Sequence, residues 1–168
     1  MIDLYIEIIR NTPFLVQIFF IYFALPSLGI RFSPNTAALV ALVVNVGAYA
    51  TEIIRAGIES IQKGQVEAGV ALGLSRPQIF RYIIIKPALR TVYPALTSQF
   101  IYLMLNTSVV SVISATDLAA AGNDIQSQTF TAFEVYLVIT GIYLLLSLAF
   151  SGLFSVVQRL AFNYPLSR

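Results

Sequence analysis

The chain has no cysteine and no histidine. Without cysteine there is no disulfide framework and no thiolate metal site. Without histidine the commonest general base and metal ligand is missing, so neither a metal centre nor a cofactor site is expected. Charge is also scarce. Only 11% of the 168 residues are Asp, Glu, Lys or Arg, against about 25% in a soluble domain. The sequence shows no internal repeat and no low-complexity stretch. Its opening, MIDLYIEIIR, has no basic leader and carries an acid at position 3, so it does not read as a signal peptide. The net charge of +2 gives no reason to expect a nucleic-acid partner.

What the chain has instead is apolar length. Hydrophobic residues make up 58% of it, and four stretches carry no charge: 11–30, 32–51, 91–116 and 135–158. A helix needs about 20 mainly apolar residues to cross a bilayer, and each stretch reaches that length. The expected class is therefore all-α, a polytopic membrane protein forming one domain over 1–168. The expected spans lie near 3–25, 35–57, 88–113 and 130–160. In the first, Pro13 should kink the helix, with neighbours satisfying the freed backbone group. Glu7 and Arg10, three apart, can pair on one face as a structural pair or gate element. In the second, Asn45, Tyr49 and Glu52 share a face. Pro94 stands near the start of the third. Residues 114–129 read as loop or short helix.

Six of the ten basic residues lie between Arg55 and Arg90, and Arg159 and Arg168 follow the last apolar run. Cytoplasmic loops carry the excess of Lys and Arg. This bias puts the loop at approximately 60–86 and the C-terminus in the cytoplasm, with the other two connections outside.

That loop is more elaborate than a connection needs to be. Residues 64–72 suit a short helix that Gly73 can end with a left-handed cap. Ser75 and Gln78 form an S-x-x-Q capping box for a second helix, with Pro77 in its tolerated first-turn position. From the residues alone, an amphipathic hairpin on the lipid surface is an equal reading. The third span adds a polar stretch of Ser98, Gln99, Asn106, Thr107, Ser108 and Ser111. Such side chains either bridge helices or line a pathway.

The loop resembles the EAA loop of permeases of ATP-binding-cassette importers. That motif reads E-A-A, three residues, G, then I-x-x-P; here it is Glu67-Ala68-Gly69, Gly73, then Ile84 or Ile85 and Pro87. Three further stretches resemble the branch for polar amino acids, the histidine/glutamine permeases. They are YIEIIRNTPFLVQIFFIYFALP, with Asn11 in place of Gly; NVGAYATEIIRAGIESIQKGQVEAG, with Gln62 in place of Pro; and NTSVVSVISATDL, preceded by Leu105 where Lys is common.

The resemblance implies a permease subunit of an ATP-driven, binding-protein-dependent amino acid importer in a bacterial inner membrane. Glu67, Ala68, Gly69, Gly73 and Pro87 would couple it to a cytoplasmic ATPase dimer. Glu67, near a helix start, would also suit the macrodipole. Asn106, Ser108, Gln99 and Thr107 would line the substrate pathway. Further partners would be a second identical or homologous permease chain, an extracytoplasmic binding protein and a polar amino acid. Family members have five spans, so the helix expected to be missing is the first. No G-x-x-x-x-G-K-[ST] motif occurs, so ATP would be bound by the partner. The other functions in view are an ATPase-independent carrier or channel, and an inactive truncated scaffold.

Overall fold

The computed structural model describes residues 1–162; the expectation for the C-terminus and Arg168 falls outside the described residues. These residues form seven helices: α1 Ile2–Arg10, α2 Phe14–Leu28, α3 Pro34–Glu59, α4 Lys63–Ala71, α5 Arg76–Ile113, α6 Leu118–Thr129 and α7 Ala132–Ala161. Three are long and apolar enough to cross a membrane: α3 with 26 residues, α5 with 38 and α7 with 30. The bent pair α1 and α2 makes a fourth if counted as one span.

The first expected span, 3–25, is broken rather than kinked: α1 and α2 diverge by 110°. Pro13 removes the N–H that would bond the Ile9 carbonyl and adopts an extended conformation, φ −63° and ψ 138°, so the helix restarts after it. A π turn at Phe20–Ala24 and a 3-10 turn at Leu25–Leu28 complete α2. Gly29, at φ +84°, ends it, where only glycine is relaxed.

The second span starts one residue earlier than expected. The Ser33 hydroxyl accepts from the Thr36 N–H at 3.2 Å, and Pro34 takes the first helical position, a start signal present in the sequence. The third span differs more. The second short helix of the loop does not stop but runs through a π turn at Phe80–Ile84 into Ile85–Asn106 and a 3-10 end at Thr107–Ile113. Residues 114–129 hold the 12-residue α6, capped by Asp117 Oδ1 accepting from the Ala120 N–H at 2.7 Å.

The core is narrow. Ile18 and Ile21 of α2 pack on Ala37, Ala38 and Ala41 of α3 and on Val110, Ile113 and Ala115. Alanines let these helices approach closely. At the far end of α3, a Cβ on Gly57 would overlap Val92 and lie 3.5 Å from the Ala88 carbonyl, so α3 and α5 cross there with no room for a side chain. The long α7 has no buried residue. It rests on α5 through Phe100, whose ring centroid lies 5.2 Å from Phe150 and 5.4 Å from Phe154, and through Tyr93 donating to the Phe154 carbonyl at 3.1 Å.

Candidate functional site

The elbow between α4 and α5 is held by backbone bonds. The Gly73 N–H donates to the Val70 carbonyl at 2.9 Å and the Leu74 N–H to the Gly69 carbonyl at 3.1 Å. This is the paired closure of a Schellman cap. Gly73 has φ +74°, and a Cβ there would meet nothing within 4 Å. Its glycine serves conformation, not space. The Ser75 N–H then donates to Gln78 Oε1 at 2.8 Å, completing the expected capping box.

Gly69 serves space. It is buried, and a Cβ on it would lie 2.5 Å from Ile83 Cδ1 and 3.2 Å from Ile79 Cγ1, so α4 lies flat on the start of α5. Glu67, Ala68 and Gly73 face outward, while Pro87 lies further along α5 and is half-buried. Glu67 is the fifth residue of α4, past its first turn; the macrodipole therefore does not explain it.

The polar stretch of α5 is mostly turned onto its own backbone. Asn106 Nδ2 donates to the Tyr102 carbonyl at 2.9 Å, Thr107 to Met104 at 2.7 Å, and Ser108 to Leu105 at 2.8 Å. Such back-bonding loosens a helix, and here α-helix gives way to 3-10 at Thr107. The Asn106 bond uses its amide nitrogen and leaves the side-chain oxygen to accept. Gln99 differs: its Nε2 is the one buried side-chain polar atom without a partner among the described residues. A buried donor left unpaired costs about 1–3 kcal/mol, so Gln99 is the more pointed candidate of the four.

A third polar group was legible only in part. The face of Asn45, Tyr49 and Glu52 receives the α1–α2 break. Arg10 pairs with Glu52 at 3.3 Å, not with Glu7, and its guanidinium stands 5.7 Å from the Tyr49 ring centroid. Among the described residues Glu7 forms no ion pair; it lines a cleft of about 220 Å³ with Asp3, Ile6, Glu52 and Arg55. Arg55 bridges Glu52 at 2.6 Å and Glu59 at 2.8 Å. Gln17 Nε2 donates to the Ile9 carbonyl at 2.7 Å, the acceptor that Pro13 leaves open, and to the Thr12 carbonyl at 3.0 Å. Its Oε1 accepts from Asn45 Nδ2 at 2.9 Å. The signal for Gln17 was its place four residues after Pro13.

The chain is 42% identical over 157 residues to the glutamine transport system permease protein GlnP of Escherichia coli K12, covering 92% of this chain and 72% of that protein. It is 37% identical over 161 residues to the probable glutamine ABC transporter permease protein GlnM of Bacillus subtilis 168, covering 95% and 74%. Among solved structures, an amino acid ABC transporter crystallised with histidines matches with a TM-score of 0.88 at 42% identity, over 94% of this chain and 73% of that one. An inward-facing MetNI methionine ABC transporter shares the fold, with a TM-score of 0.78 at 21% identity, over 96% and 74%. Residues 1–162 match the family described as the binding-protein-dependent transport system inner membrane component. On this match and these identities, the chain belongs to that family of multi-pass inner-membrane permease subunits.

Proposed function

We propose that the chain builds the translocation pathway of an importer for a polar amino acid, and that the α4–α5 elbow seats it on a separate cytoplasmic ATPase dimer. The elbow carries this reading. A connection serving only to join two spans has no need of a Schellman cap, a capping box and a buried Gly69 all between positions 63 and 78. The chain has no phosphate-binding loop of its own, which supports ATP being bound by the partner. A second permease chain, identical or homologous, would cover the unburied face of α7, and an extracytoplasmic binding protein would deliver the substrate, glutamine being the named substrate of the relatives. Gln99 Nε2 and the Asn106 side-chain oxygen offer a donor and an acceptor suited to a zwitterion. Inverting a 1:99 conformational bias takes about 5.5 kcal/mol of differential binding, which nucleotide and binding protein together would supply.

Two experiments test this. Co-purification of the ATPase with Gly73→Val should fail while the variant still inserts in the membrane; normal association would remove the elbow from the docking role. Single cysteines at Gln65 and Ser127 should show impermeant labelling only at Ser127. Labelling of Gln65 from outside would reverse the orientation. Ser127 is chosen because it is exposed, whereas a side chain at Gly122 would overlap Ile139.

A further inference from the structure

Residues 73–116 contain four basic side chains, Arg76, Arg81, Lys86 and Arg90, and no acidic one. Arg81 and Lys86 are exposed, and neither is in an ion pair among the described residues. They stand ten and five residues before the uncharged run that begins at Thr91. They share that place with exposed aromatic side chains: Phe80 is 47% and Tyr82 62% accessible. The Arg81 guanidinium lies 6.0 Å from the Tyr82 ring centroid. The π turn matters here. The Ile85 N–H bonds the Phe80 carbonyl, five residues back. An α-helix would set Arg81 and Lys86 about 140° apart; the wider turn brings positions five apart towards one side.

Two exposed cations beside exposed aromatic rings, on the basic end of a helix long enough to span a membrane, match the chemistry of an anionic lipid headgroup. The rings sit at headgroup level and the cations reach the phosphate. We propose that Arg81, Lys86 and Tyr82 form a binding site for the headgroup of an anionic phospholipid in the leaflet on the α4 side. Arg76 is left out, since it lies in the elbow. The inference rests on the chain spanning a membrane, not on the elbow docking an ATPase.

The test uses the complete transporter complex, released from membranes and offered phosphatidylglycerol and phosphatidylcholine in competition, with retained lipid read by native mass spectrometry. Wild type should retain phosphatidylglycerol preferentially, and high salt should abolish the preference. Each charge near the surface contributes about a fivefold preference, so Arg81→Gln with Lys86→Gln should lower it at least about tenfold. Arg81→Lys should keep most of it, and Arg31→Gln, at the opposite end of the spans, should change nothing. The site is refuted if wild type shows no preference, if the double variant keeps it, or if soluble glycerol phosphate displaces the lipid as well as phosphatidylglycerol does. It is also refuted if the double variant sheds the ATPase while retaining phosphatidylglycerol, which would assign the patch to a protein partner.

Discussion

At the α4–α5 elbow the backbone closes on itself, and the side chains named by the motif, Glu67 and Ala68, are left facing outward. At the α1–α2 break the reverse holds: the backbone is left open by Pro13, and side chains close it, Asn11 on the Glu7 carbonyl, Thr12 on the Ile8 carbonyl, and Gln17 on the Ile9 and Thr12 carbonyls. The first construction has a surface to spare and a shape that does not depend on what covers it. The second spends its amides internally, Gln17 on Asn45, which is only 7% accessible. A joint that must meet a partner suits the first plan, and a fixed corner inside an apolar assembly suits the second.

The comparison can be broken most severely at Gln17. Gln17→Leu leaves the Thr12 carbonyl and the Asn45 amide without these partners, and the Ile9 carbonyl with only the 3.5 Å bond from Thr12 Oγ1. At about 1–3 kcal/mol for each buried group left unpaired, the loss should be at least about 2 kcal/mol. Thermal unfolding in detergent should show it, with Asn45→Ala costing less because the two carbonyls stay bonded. Equal stability of Gln17→Leu and wild type would mean the corner is held by packing alone.

Gly73→Val comes next. Placing a β-branched residue at φ +74° should cost about 1–2 kcal/mol, while Gly73→Asn, which tolerates that conformation, should behave like wild type. If Asn and Val are equally damaging in ATPase pull-down, absence of a side chain and not backbone conformation is what the partner reads.

A smaller effect separates two pathway candidates. Gln99→Leu removes an unpartnered donor, so it should leave the melting temperature unchanged or raised while altering uptake in proteoliposomes. Asn106→Leu also loses its bond to the Tyr102 carbonyl and should cost about 1 kcal/mol. Unchanged uptake selectivity in both variants would remove both residues from the pathway.

Smallest of all is Arg10→Gln. In the pair with Glu52, Arg10 is exposed at 42% and Glu52 half-buried at 22%, and pairs near the surface contribute at most about 1 kcal/mol. A shift in unfolding near the limit of measurement is expected.

The elbow was legible in the sequence because its signals are local: a glycine after a helical run, then S-x-x-Q with proline. The spans were legible because uncharged length has few alternatives. The corner was not, since Pro13 announces a disruption but not its angle. The 110° bend is braced by Gln17 accepting from Asn45 on another helix, a partner that local spacing cannot reveal. Arg10 was paired with Glu7 on helical spacing alone, and Glu52 outcompetes it by approaching from α3. Asn106, Ser108 and Gln99 stand alike in the sequence because polarity is visible there, whereas the spending of a donor on its own helix, as at Asn106 and Ser108, is not.

Moved as one body, the unbroken run of α5 from Arg76 to Ile113 would act as a lever. Its 38 residues extend about 57 Å at about 1.5 Å each. The close crossing of Gly57 on Val92 would be its fulcrum, with arms of about 24 Å towards the elbow and about 32 Å towards the 3-10 end. Taken rigidly, a push of about 5 Å at the elbow corresponds to about 6–7 Å at the far end, where Val110 and Ile113 pack on α2 and α3, so the core there would have to move with it. Pro94 stands two residues beyond the fulcrum, so the shaft is already missing one hydrogen bond where the bending moment is greatest.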